Sequence, residues 1–187
     1  MQSRVLMVLS CLTLTLSSAC NFSFGFPDTN KANKLGADAQ VLRDDAAKLR
    51  DEAMAKFKKL IDDSPGWEEW IKIEAPLKEQ VAQIEKSQAK YKEAIQKSEE
   101  VSTLKVAESL KQYHAARANL FRKELELTDA KMQLAKAAYD PTIETEDDFV
   151  KKANEINAKL DSLIKEIDEL SAKLKKVVDD HPDEFVK

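Results

Sequence analysis

Ala32, Leu35, Ala39, Leu42, Ala46, Leu49 and Ala53 recur at alternating steps of three and four residues. That is a heptad with Ala on one seam and Leu on the other, the spacing of a helix that buries one face. The small Ala side chains predict close packing against a neighbouring helix, most simply an antiparallel one. Phe57 and Leu60 extend the apolar face, although Lys56 holds the strict next position. Gly36 lies inside the pattern, where it costs about 1 kcal/mol relative to Ala, so the first turns are expected to fray. Asp62-Asp63-Ser64-Pro65-Gly66 combines a Ser cap with Pro and is a strong stop. Trp67, Trp70 and Ile71 then share one helical face, as residues closing the end of a bundle would. Pro76 should kink or restart the helix.

The stretch from Leu77 to Ala138 contains neither Gly nor Pro. Leu77, Val81, Ile84, Tyr91 and Ile95 keep one heptad register, with Gln88 polar in the seam. Val106, Tyr113, Leu120, Leu127 and Leu134 keep another, displaced by one residue, and Ser98, Ser102 and Thr103 occupy the junction. The plainest expectation is one continuous helix of about 62 residues, roughly 93 Å long. A turn near Glu99–Thr103 is the alternative; it would divide the chain into four segments of about 34, 33, 36 and 35 residues, the economy of a four-helix bundle. In the second half of this stretch Leu110, Arg117, Glu124, Lys131 and Ala138 form a polar-interrupted seam. Long Arg and Lys stems can cover apolar surface while their charge stays in water, so looser packing, mobility or a partner is expected there.

Tyr139-Asp140-Pro141 ends that element, and Thr145 with Asp148 three residues on forms a capping-box variant. Phe149, Ala153, Ile156, Leu160, Leu163, Ile167, Leu170, Leu174 and Val177 then repeat without polar interruption, with Val150, Ile164 and Val178 beside them. So broad a face points to three or more packed helices. The fold class expected is all-α: an elongated antiparallel helical bundle or coiled coil with one long central helix. Each seam must meet another apolar face, in this chain or in a second copy, so self-association or a protein partner is expected.

The first residues have a different pattern. Arg4 is followed by an uncharged run from Val5 to Leu16, then by Ser17-Ser18-Ala19-Cys20. A short positive region, a short apolar core and small residues make an export signal, and the run is too short to span a membrane. The segment resembles the signal of bacterial lipoproteins, in which a small-residue box ends at a cysteine that is lipidated and becomes the first mature residue. The resemblance implies cleavage after Ala19, lipid on Cys20 and a membrane-lipid partner through it. Ser17 stands where the box usually has Leu, with Leu16 one place earlier; an ordinary secretory cut before Cys20 is the alternative. In that family a residue other than Asp after the cysteine is associated with outer-membrane sorting, which Asn21 would imply in a Gram-negative cell. With Cys11 removed in the signal, Cys20 would be the lone mature cysteine, and a thioether removes the anomaly of a free thiol in an exported protein. Phe22, Phe24 and Phe26 follow, either as interfacial anchors at headgroup level or as an apolar tether or cap. The chain thus divides into a signal peptide (1–19), a lipid-proximal tether (20–28), a helical domain (29–180) and a C-terminal tail (181–187).

Composition narrows the chemistry. Three Gly in 187 residues argue against a turn-rich β fold or a glycine-loop nucleotide site. The chain has 30 basic and 34 acidic residues, interspersed instead of striped, which disfavours nucleic acid. His114 and His181 are the only histidines, and Lys111, not Glu, stands three residues before His114, so the Glu-x-x-His ligand pattern of bundle metal sites is missing. No residue pattern suggests a metal, a cofactor, a small-molecule substrate or a catalytic group. Lys187 is similar to the terminal lysine of peptidoglycan-linked outer-membrane lipoproteins and is a candidate for cell-wall attachment. The expected function is therefore non-enzymatic: a membrane-anchored extracytoplasmic coiled-coil lipoprotein acting as a structural, spacer or adaptor element. The alternative is a chaperone-like or protein-binding helical module of the cell envelope.

Overall fold

Four long helices carry the chain: α1 (Thr29–Asp62), α2 (Glu74–Glu100), α3 (Glu108–Ala137) and α4 (Glu146–Asp180). In this computed structural model residues 25–64 and 66–181 are described. A single helical turn, Trp67–Trp70, and a 3-10 turn, Ile71–Ile73, join α1 to α2, so Pro76 falls in the first turn of α2, where a missing N–H costs no helical bond. Packing follows chain order: α1 on α2, α2 on α3, α3 on α4, with α1 also touching α3 across the bundle. The architecture is an all-α four-helix bundle with helices of similar length.

The expected long central helix is overturned between Val101 and Ala107. A helix continuing past Glu100 would carry the Leu77–Tyr91 seam onto Ser98 and Lys105. Instead Val101–Thr103 tightens to 3-10 geometry, and Leu104 turns extended at φ −88°, ψ 157°. The Ser102 and Thr103 hydroxyls donate to the carbonyls of Glu99 and Glu100 at 2.8 and 2.7 Å, competing with the helical ladder. Val101, Leu104 and Val106 are buried, so the reversal is held by apolar packing without Gly or Pro. The elongated coiled coil is corrected with it: the longest helix has 35 residues, about 53 Å, in place of a rod of roughly 93 Å.

Both expected functions fall with the rod. A coiled-coil spacer or adaptor needed its reach, and the chaperone-like or protein-binding module needed a loose arm after residue 106. That arm is α3, and it is enclosed: Leu110, Tyr113, His114, Arg117, Ala118, Leu120, Phe121, Glu124, Leu127 and Thr128 are all buried. The seam charges that suggested looseness are paired inside the bundle instead of snorkelling.

On α1 the Ala seam does what small side chains permit. Ala32, Ala39, Ala46 and Ala53 are buried, and the Ser87 hydroxyl of α2 donates to the Ala46 carbonyl at 2.7 Å, a bond that requires close backbones. α4 starts as its capping pattern dictates: Thr145 Oγ1 accepts from Asp148 N at 3.2 Å, and Glu146, Asp147 and Asp148 place negative charge in the first turn. The turn before it is an Asx turn in which Asp140 Oδ1 accepts from Thr142 N at 2.9 Å. α4 is less enclosed than its sequence promised. Phe149 to Leu163 are buried along the seam, but Ile164, Ile167, Leu170, Val177 and Val178 are only half-buried.

Two apolar cores result. One joins Ala53–Phe57, Trp70, Leu77–Ile84, Leu127–Ala138 and the Phe149–Leu163 seam. Trp67, Trp70 and Phe149 close this end, with ring centroids 5.0 Å apart between the tryptophans and 4.9 Å between Trp70 and Phe149. The second joins Ala32, Ala39, Ala94, Ile95, Val101–Leu110, Tyr113, Leu120, Phe121 and Leu174 at the other end.

Candidate functional site

Between the two cores lies a belt of polar side chains contributed by α1, α2 and α3. Arg43 and Arg50 stand seven residues apart on α1, hence on one face. Arg43 Nε donates to both carboxylate oxygens of Glu124 at 3.0 and 2.8 Å, its terminal nitrogens reach Glu124 and Asp44, and Glu124 is buried. Arg50 donates from Nε and a terminal nitrogen to Asp51 at 2.8 and 3.0 Å and from its other terminal nitrogen to the Tyr91 hydroxyl at 3.1 Å. Lys131 of α3 reaches the same Asp51 at 3.3 Å. One turn nearer the second core, Arg117 donates to Gln40 at 2.6 Å, its guanidinium 5.3 Å from the Phe121 ring.

Burial opposes the charge on both Arg43 and Arg50. For Arg43 the bonds and attraction to Glu124 outweigh it, for Arg50 the bonds and attraction to Asp51 do so, and both pKa values end above the ordinary Arg value. Burial likewise opposes the Asp51 carboxylate, but Arg50 and Lys131 overcome it and lower its pKa. Burial, reinforced by Glu124, raises the Tyr91 pKa and keeps the phenol protonated. His114, packed edge-on to Tyr113 at 5.2 Å, has its pKa lowered to about 3 by burial and by the Arg117 charge.

Chemically this is a lock. Glu124 spends both oxygens on one guanidinium, so it offers no ready base, and the Tyr91 phenol is far from ionising near neutral pH. The belt pairs specific residues at specific heights on three helices, and sliding α1 against α3 by a turn would strand the buried Glu124 charge at a cost of several kcal/mol. Among the described residues no group of three or more His, Cys, Asp or Glu could hold a metal ion, and no helix is long and apolar enough to cross a membrane.

Of the residues singled out from sequence, the described Phe26 and His181 are not part of this belt. Cys20, Phe22, Phe24 and Lys187 lie outside the described residues. Phe26 is described, 45% exposed at the entrance to α1. His181 ends α4, its N–H donating to Val178 O at 3.3 Å. Sequence reasoning took Arg117, Glu124 and Lys131 as surface interruptions of a seam and did not single out Arg43 or Arg50. The available signal was charge repeated at sevenfold spacing on two elements: Arg43 and Arg50 on one, Arg117, Glu124 and Lys131 on the other.

No family model, curated protein or solved structure matches the chain.

Proposed function

We propose that this chain is exported and tethered at a membrane surface through a lipid on Cys20, and that it places a self-contained four-helix bundle there without carrying out a chemical step. The observation that carries the reading is the run Leu16-Ser17-Ser18-Ala19-Cys20 after an uncharged apolar segment, with Cys20 the lone cysteine left after cleavage. The bundle suits that role. Most of its seam side chains are buried within one chain, and its internal charges are held by one another, so the bundle can be presented as a unit. Asn21 after the cysteine favours the outer membrane as destination if the host is Gram-negative.

Metabolic labelling with an alkyne fatty acid tests the anchor. The wild type should label and sediment with membranes, and Cys20→Ala should do neither. An unlabelled wild type released in soluble form would overturn the reading.

A further inference from the structure

Building on the anchored reading, we infer that the bundle stands end-on to a phospholipid bilayer, touching it with the tip formed by Phe26 and the α2–α3 reversal and holding its tryptophan end away. Among the described residues the exposed large hydrophobic side chains are Phe26, 45% exposed, and Val41, 62% exposed. Phe26 is at the tip, whereas Val41 is alone on the flank of α1, about 18 Å further along the axis.

Phe26 is built onto the bundle. Its carbonyl accepts from the Thr29 hydroxyl at 3.1 Å and from the Thr29 N–H at 3.4 Å. The adjoining Asp28 carboxylate accepts from Lys105 N at 2.8 Å, tying the entrance of α1 to the α2–α3 reversal. An aromatic ring resting in the bilayer interface therefore orients the whole bundle. Phe26 lies six residue steps after Cys20, a span of at most about 21 Å. A lipid on Cys20 thus keeps the tip close to the surface, while the far end of the 34-residue α1 lies about 51 Å away.

The flanks give the bilayer little to hold. They are faced with pairs of opposite charge such as Lys90–Asp45, Lys97–Asp38 and Lys123–Glu166, whereas at the tip the pair Lys31–Glu100 stands beside the exposed Phe26 ring. Partitioning favours the apolar ring over such surfaces, since burying apolar area in the interface is what drives peripheral attachment.

Fluorescence quenching by nitroxide-labelled headgroups in phosphatidylcholine vesicles tests the orientation, using the mature lipidated protein, beginning at Cys20, whose lipid is verified by mass. Both reporter positions are exposed, so Phe26→Trp and Val41→Trp should leave the bundle folded, which circular dichroism checks. The tryptophan introduced at position 26 should lose about half of its emission or more at the interface. Trp67 and Trp70 of the wild type, and the tryptophan introduced at position 41, should be unaffected. Quenching at 41 or at Trp67 and Trp70 comparable to that at 26, or none at 26 in vesicle-bound lipidated protein, would overturn the end-on placement while leaving the anchor intact. A mass without lipid on Cys20 would overturn both.

Discussion

Gly36 of α1 is the floor on which His114 of α3 rests. A Cβ added at Gly36 would lie 2.7 Å from His114 Cε1, 3.3 Å from Nε2 and 3.4 Å from a terminal nitrogen of Arg117. Gly36 is itself buried and helical. Its presence in a helix interior, which the sequence pattern alone counts as a weakness, is thus a packing requirement imposed by an imidazole 78 positions away. Gly36→Ala should reverse the usual sign. Helix propensity favours Ala by about 1 kcal/mol, but the clash with a ring that is only 2% exposed should cost about 1–3 kcal/mol. Urea denaturation should show net destabilisation, and the penalty should shrink when Gly36→Ala is combined with His114→Ala. An unchanged or stabilised single variant would mean that the ring moves freely aside.

His114 also sets a pH dependence. Its pKa is lowered from 6.5 to about 3 in the folded chain, by burial first and by Arg117 second. Between those values the unfolded chain binds a proton that the folded chain refuses, so stability falls as pH drops through this window. The neutral imidazole's contribution is complete above about pH 6.5 and declines by about 1.4 kcal/mol for each pH unit well below it. The lowered Asp51 and Asp140 carboxylates act at more acid pH, because their contribution is present above the unfolded carboxylate pKa and is lost as pH falls through the folded one. Urea midpoints at pH 7, 5.5 and 4.5 should decline in the wild type and much less in His114→Gln. Parallel declines would exclude His114 as the source.

How far the sequence could be read follows from what a linear pattern encodes. The Ala seam of α1, the Thr145 cap and the stop at Ser64 rest on local chemistry, and each has its structural counterpart. The reversal at Val101–Ala107 was legible only as a one-residue slip between two heptads with Ser and Thr at the joint. Without Gly or Pro, that slip could equally be absorbed within a continuous helix. What decided it was tertiary: Val101, Leu104 and Val106 bury themselves only if α2 folds back on α3. The belt was harder still. Arg117 and Glu124 look like surface residues in a list of charges, and only the partners Gln40 and Arg43, across the bundle, make them interior ones.

Arg43 and Glu124 give the belt a quantitative test. Removing one partner from a buried pair strands the other's charge, which typically costs about 3–5 kcal/mol, whereas replacing both by apolar residues is often nearly neutral. Arg43 retains some exposure, its side chain 16% accessible against 5% for Glu124, so water offsets part of the loss. Glu124→Ala is expected to cost about 3 kcal/mol, and Arg43→Met with Glu124→Leu about 1 kcal/mol or less. Equilibrium denaturation of the double variant and of Arg43→Met and Glu124→Leu singly closes the cycle. Additive effects would show that the two groups do not interact.

The α2–α3 reversal predicts a length. Scattering from residues 25–181 in solution should give a maximum dimension of about 60 Å, since the longest helix spans about 53 Å. A continuous helix would require at least about 93 Å. The 3-10 turn can also be stressed directly. Ser102→Ala with Thr103→Ala removes the two hydroxyls that compete for the Glu99 and Glu100 carbonyls, yet Val101 and Leu104 remain to be buried. That pair should therefore cost about 1–2 kcal/mol in stability without lengthening the particle, each hydroxyl contributing about 1 kcal/mol or less.

Close approach of α1 and α2 yields the last expectation. Ala46 is fully buried, and its carbonyl receives the Ser87 hydroxyl at 2.7 Å. A leucine there adds three carbons where two backbones nearly touch, so α2 must move outward and the Ser87 bond must break. Overpacking of this kind costs about 1–3 kcal/mol, and a buried hydroxyl left without its acceptor adds about 1 kcal/mol or more. Ala46→Leu should therefore be strongly destabilising, although its side chain is more apolar and forms helix nearly as well as alanine. Ala46→Gly, which preserves the approach, should lose only the helix-propensity difference and any small packing loss, about 1–2 kcal/mol. Thermal denaturation that ranks Leu above Gly at position 46 would show that the Ala seam tolerates separation, and that the Ser87 bond follows from the packing instead of demanding it.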